Sequence, residues 1–121
     1  MRTLADFAYV AGFFDGEGTI TVSKGGHGWM RSVQVPNTNE AIIKWLKRTF
    51  GGRTYVKSPS KGHLGKKTIY LWYLRDAIGI GNFLHAILPH LRLKRKDAIT
   101  LLRNVDGKLS YEDTKKRLRK R

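Results

Sequence analysis

The stretch Tyr9 to Gly18, YVAGFFDGEG, restricts the chain more than any other. Running into it, over Thr3 to Phe14, Leu4, Phe7, Ala8, Ala11 and Phe14 recur at steps of three and four, which predicts an amphipathic helix. Thr3 can cap that helix, with Asp6 three residues on as an acidic form of the capping box. Gly16 and Gly18 are expected to stop it. Ala8, Ala11 and Gly12 lay small side chains along one helix face, so another helix can approach closely. The same spacing also fits ordinary packing against the chain's own core. At the helix end stand two carboxylates, Asp15 and Glu17.

Those acids sit in a basic protein. The 121 residues hold 24 Lys plus Arg against 9 Asp plus Glu, a net charge of +15. From Gly18 through Arg75 the only acid is Glu40, among eleven Lys or Arg. The excess therefore runs through the middle of the chain as well as its end, and nucleic acid is the partner it fits best. A basic soluble surface, with the end of the chain carrying much of the charge, is the plainer alternative. There is no cysteine, which rules out a disulfide or a thiolate metal site and fits a reducing, intracellular setting. No apolar run approaches the ~20 residues that span a bilayer, so no membrane partner is expected. The start of the chain does not read as a signal peptide, because an acid interrupts its apolar stretch.

Beyond Gly18 the period changes to two. In GTITVSK, Ile20 and Val22 face one way while Thr19, Thr21 and Ser23 face the other. GGHG makes a turn. WMRSVQV returns with Val33 and Val35 inward and Ser32 and Gln34 outward, and Pro36 is expected to end it. NTNEAIIKWLKRTFG predicts a polar-capped helix, closed by Gly51 or Gly52. RTYVKS and KTIYLWYL then predict a second hairpin around PSKGHLGK, with Tyr55 and Lys57 on the outward face. KTIYLWYL has apolar residues at both parities, which leaves its register open. Two further helices follow, the first broken near Pro89, and then a polar segment, SYEDTKKRLRKR. The chain is thus divided into one domain over residues 1–109 and a basic tail over 110–121. The order helix, hairpin, helix, hairpin, helices predicts an α+β domain with an antiparallel four-stranded sheet, polar and exposed on one face. That face is a candidate reader of a DNA groove through Thr21, Ser23, Ser32, Gln34, Tyr55 and Lys57. His27 and His63 have no second ligand at metal spacing and read as surface residues near phosphate.

VAGFFDGEG, Val10 to Gly18, resembles the LAGLIDADG motif of the homing endonucleases. The order of elements is similar to that family's αββαββα core and covers most of the chain. The resemblance implies a homodimer, because the chain carries one copy of the motif, with Ala8, Ala11 and Gly12 at the two-fold interface. It implies that Glu17 binds metal together with the carbonyl of Gly16, and that Lys94, in LRLKRK, stabilises charge or positions water. Asn37 falls where relatives carry an amide near the attacking water; a helix cap is the competing role. Lys94 could instead position a phosphate. A basic residue that some relatives carry four positions after this amide is replaced by Ala41.

The chemistry also follows from charge. Acids at a DNA interface repel phosphate unless a divalent ion lies between them, and Mg²⁺ takes carboxylate and carbonyl oxygens. Mn²⁺ is a substitute, and Ca²⁺ is expected to support binding without efficient cutting. Asp15 is a candidate catalytic acid by this reasoning, although it could simply bond nearby backbone amides. The expected function is a metal-dependent, site-specific endonuclease acting on double-stranded DNA. A maturase or DNA-binding regulator of the same fold that does not cut is the second reading. A ribosomal-type RNA binder would explain the charge but not the motif.

Overall fold

The computed structural model describes residues 3–58 and 67–118. Helix α1 spans Leu4–Glu17, strand β1 Thr19–Gly25, β2 Gly28–Asn37 and α2 Glu40–Phe50. Strand β3 spans Arg53–Lys57 and β4 Ile69–Leu74. Helix α3, Ala77–Ile87, runs into a 3₁₀ turn at Leu88–His90; α4 spans Arg95–Val105 and α5 Tyr111–Leu118. His63 lies outside the described residues.

The capping box of α1 forms: the Asp6 amide donates to Thr3 Oγ1 at 3.1 Å and the Thr3 amide to Asp6 Oδ2 at 3.0 Å. The buried face of α1 is Val10, Ala11, Phe14 and Asp15. Leu4 and Ala8 point outward instead, with Leu4 74% exposed. Gly16 does not stop the helix, which continues to Glu17 and closes at Gly18. A Cβ at Gly18 would fall inside the Phe14 ring, so glycine is what lets Phe14 bury beneath the turn.

Four antiparallel strands make one sheet in the order β1-β2-β4-β3. The β1–β2 register closes at Gly25 opposite Gly28. Pro36 does not end β2; it pairs opposite Leu71 of β4. The β1 ladder has already stopped at Thr19 opposite Gln34, so β2 has a neighbour on one side only at Pro36, where proline is tolerated. From β4, Trp72 Nε1 donates to the carbonyl of Gly51, the residue that closes α2, at 2.7 Å.

The inner face of the sheet buries Ile20, Val22, Val33, Val35, Trp72 and Leu74 against the helices. Phe83 of α3 is the hub, edge-on to Phe14 at 5.6 Å and to Phe50 and Trp72 at 5.0 Å each. Such pairs contribute ~0.5–1.5 kcal/mol each beyond their area, and these tie α1, α2 and β4 to one helix. The segment expected to be a polar tail forms α5 over residues 111–118. Thr114 and Leu118 bury, and Tyr111 stacks on Trp29 of β2 at 5.5 Å. It is therefore part of the folded body.

Candidate nucleic-acid interface and acidic helix end

Helix α1 leads into β1 through Gly18 alone, so Glu17 sits where the sheet begins. Glu17 is exposed and Asp15 is buried. The Asp15 carboxylate accepts three backbone hydrogen bonds from the link that precedes α4. Arg92 N–H donates to Oδ2 at 2.8 Å, and Leu93 and Lys94 N–H donate to Oδ1 at 3.2 and 3.0 Å. Lys94 Nζ in turn donates to the Asp15 carbonyl at 2.6 Å. Lys94 is thereby brought to the end of α1, two residues from Glu17. The geometry departs from a catalytic or metal role for Asp15, because both its oxygens are already occupied by amides.

Asn37 ends β2, and its Oδ1 accepts from Asn39 N–H at 2.7 Å. Asn39, the N-cap of α2, accepts from Ile42 N–H at 3.2 Å. The side-chain oxygen of Asn37 is thus used in entering α2, while Asn39 supplies the cap. Ala41 is exposed on α2.

The register places every expected groove-facing residue on the outer side of the sheet, but Ser32 is buried there, only 6% exposed. Thr21 lies opposite Ser32, and Gln34 opposite Tyr73. Ser23 lies opposite Met30, Tyr55 opposite Leu71, and Lys57 opposite Ile69. Gln34 donates to Ser32 Oγ at 3.0 Å, which fixes both side chains along the strand. The same alternation adds residues that the sequence left out. Arg53 lies opposite Tyr73, and the Arg75 guanidinium sits 4.7 Å from the Tyr73 ring centroid. Arg53, Tyr73 and Arg75 line a cleft with Gly52 and Asp76 at the end of β4. Arg53 shares the alternation of Tyr55 and Lys57, whereas the outward place of Tyr73 and Arg75 was hidden because β4 is apolar at both parities and only its pairing with β2 and β3 orders it. His27 is exposed in the β1–β2 turn.

Ala8 and Gly12 are exposed along α1, and a Cβ at Gly12 or Gly16 would meet open space. Ala11 does not share that face: it is 0% exposed, turned into the core between Val10 and Phe14. Tyr9 and Leu4 extend the open face, at 57% and 74% exposed. Among the described residues, no group of three His, Cys, Asp or Glu side chains could hold a metal ion. No described helix is long and apolar enough to cross a membrane.

No protein-family model matches the sequence, and no curated protein matches it. Solved structures do match. The homing endonuclease I-CvuI, solved with its target in the presence of Ca, aligns over 91% of this chain and 71% of its own. The TM-score is 0.69 and the identity 21%. A second I-CvuI structure, with the I-CreI target and Mg, holds DNA that is not cleaved. The archaeal intron-encoded homing endonuclease I-Vdi141I, complexed with DNA, aligns over 85% of this chain and 68% of its own at TM-score 0.69 and 17% identity. The LAGLIDADG meganuclease I-AabMI, bound to uncleaved DNA, aligns over 83% of this chain but 36% of its own, at TM-score 0.64 and 14% identity.

Proposed function

We propose, from the premise that this chain has the LAGLIDADG homing endonuclease fold, that it is a site-specific endonuclease for double-stranded DNA. It acts as a homodimer on a long pseudo-palindromic target. One observation carries the reading: an exposed acid, Glu17, follows by two residues the carbonyl that holds Lys94 Nζ, where α1 meets a polar and basic sheet face. The DNA complexes formed by proteins of this fold support it.

Glu17 and the Gly16 carbonyl would hold a divalent ion, Mg²⁺ or Mn²⁺, because a carboxylate and a carbonyl are the oxygen donors such ions take. When bound, the ion supplies stabilisation for the attacking and leaving oxygens of phosphodiester hydrolysis. Ca²⁺, with looser geometry, would support binding without efficient cutting. The Lys94 ammonium draws the scissile phosphate toward the end of α1. Asn37, its oxygen engaged by Asn39, has its amide N–H groups to offer a water. Thr21, Ser23, Ser32, Gln34, Tyr55 and Lys57 face the groove, with Gln suited to adenine and Lys to guanine.

One chain supplies one such donor set, and a second would come from a two-fold mate. Support comes from the open small face of α1 at Ala8 and Gly12 and its exposed Leu4 and Tyr9. The second reading, binding without cleavage as a maturase or regulator, draws on Ala41 in place of a basic side chain.

Incubation with a randomised duplex library, with and without Mg²⁺, tests the proposal. Metal-dependent ends at one sequence class are expected. Tight, sequence-specific binding with no cut ends in Mg²⁺ or Mn²⁺ would transfer the chain to the second reading.

A further inference from the structure

We propose that Asp15 is a positioning residue, which with Lys94 forms a reciprocal clasp between the end of α1 and the start of α4. Two helix ends meet here: α1 closes on Gly18, whose N–H donates to the Phe14 carbonyl, and α4 starts with no side-chain cap of its own. The first turn of α4 follows Lys94, whose side chain makes no cap hydrogen bond. The amides of the link that leads into it belong to no helix or strand and need an acceptor elsewhere. Asp15, 77 to 79 residues earlier in sequence, accepts three of them in a row, from Arg92, Leu93 and Lys94. An acid is the favoured charge at that end of a helix. The last turn of α1 has no basic residue of its own. Lys94 fills that place, its ammonium bonding the Asp15 carbonyl at 2.6 Å. A cation is the favoured charge at that end.

The two halves depend on each other. Asp15 holds the backbone of Lys94, and that backbone position carries the ammonium back to Asp15. With Asp15 buried and its oxygens occupied, the clasp fixes where the Lys94 charge lies relative to the exposed Glu17. The catalytic consequence rests on the endonuclease reading above; the clasp itself does not.

The test therefore has two arms. The first reads backbone amide hydrogen exchange in the free protein. Arg92 and Leu93 have exposed side chains and lie outside any helix, so unclasped amides there would exchange freely. Native protein should protect the amides of residues 92–94 by roughly tenfold or more over an unstructured chain. Asp15→Ala, which removes both acceptor oxygens, should lose that protection, whereas Glu17→Gln should keep it. Unprotected native amides, or protection that survives Asp15→Ala, would overturn the clasp; the native measurement decides even if the variant fails to fold. The second arm reads cleavage. Asp15→Ala should lower kcat tenfold or more, with the KM for duplex and the half-saturating Mg²⁺ unchanged. In a Lys94→Met background it should cost little more. A raised Mg²⁺ requirement, or a full additive loss beside Lys94→Met, would make Asp15 a ligand and overturn the positioning role. If native protein never cleaves, the endonuclease reading fails while the exchange arm still decides the clasp.

Discussion

A step of two residues along a helix turns a side chain by about 200°, so Asp15 and Glu17 face opposite sides of α1. The inward acid is used up on the backbone of residues 92–94. The outward acid is exposed, and Lys94 Nζ bonds the backbone carbonyl two residues before it. Glu17→Gln keeps shape and hydrogen bonding but removes the charge that would hold an ion. Cleavage should fall by ~100-fold or more, since metal stabilisation supplies several kcal/mol of the barrier. Duplex affinity, measured in parallel, should persist or rise, because an acid facing phosphate has been neutralised. Weakened binding with unchanged cutting would remove Glu17 from the metal site. A second residue-scale prediction concerns Gly18. Gly18→Ala pushes a methyl into the Phe14 ring, which is fully buried and cannot retreat. Overpacking of this kind costs ~1–3 kcal/mol, to be read as a lower midpoint in denaturant; an unchanged midpoint would mean that Phe14 has room to move.

Helix α1 has a crowded face and an empty one. Val10, Ala11 and Phe14 press into the core, whereas Gly12 has nothing within reach of an added Cβ. Within one chain, then, glycine is not required at residue 12. Gly12→Leu should leave the folded monomer intact by circular dichroism. If two α1 helices pack across a two-fold axis, each copy of the interface takes the overpacking, and sedimentation should report monomers. A dimer that persists would move the interface elsewhere. Helix α5 offers a different lesson at this scale. Its basic last turn reads as solvated sequence, yet Tyr111 stacks on Trp29 and the Arg31 guanidinium lies 5.0 Å from the Tyr111 ring. Arg31 also donates to Asn104 of α4 at 2.7 Å, so one strand residue joins both C-terminal helices.

Across the whole molecule the balance of charge is +15, with polar and basic side chains on the outer sheet face. Phosphate neutralisation by Lys and Arg releases counterions, so log K for duplex should fall with log salt at a slope of about −0.9 per contact. A slope corresponding to several contacts per chain is expected from titrations across a range of salt concentrations. An affinity indifferent to salt would argue against duplex DNA as the partner.

Local chemistry was legible in the sequence. The periods of 3.6 and 2, the Thr3–Asp6 box and the glycine turn located α1, both hairpins and α2, because these signals depend on near neighbours. The alternation of β1 and β2 assigned their faces for the same reason. What lay beyond it depended on partners distant in sequence. Leu71 and Tyr73 are assigned to the outer face by the register in which β4 pairs with β2 and β3. Pro36 stays in β2 because β1 stops short of it. Tyr111 joins the body through a strand some eighty residues earlier. Asp15 and Glu17, alike in sequence, were separated by little more than half a helical turn and by a loop 77 residues away that brought its amides to one of them and not the other.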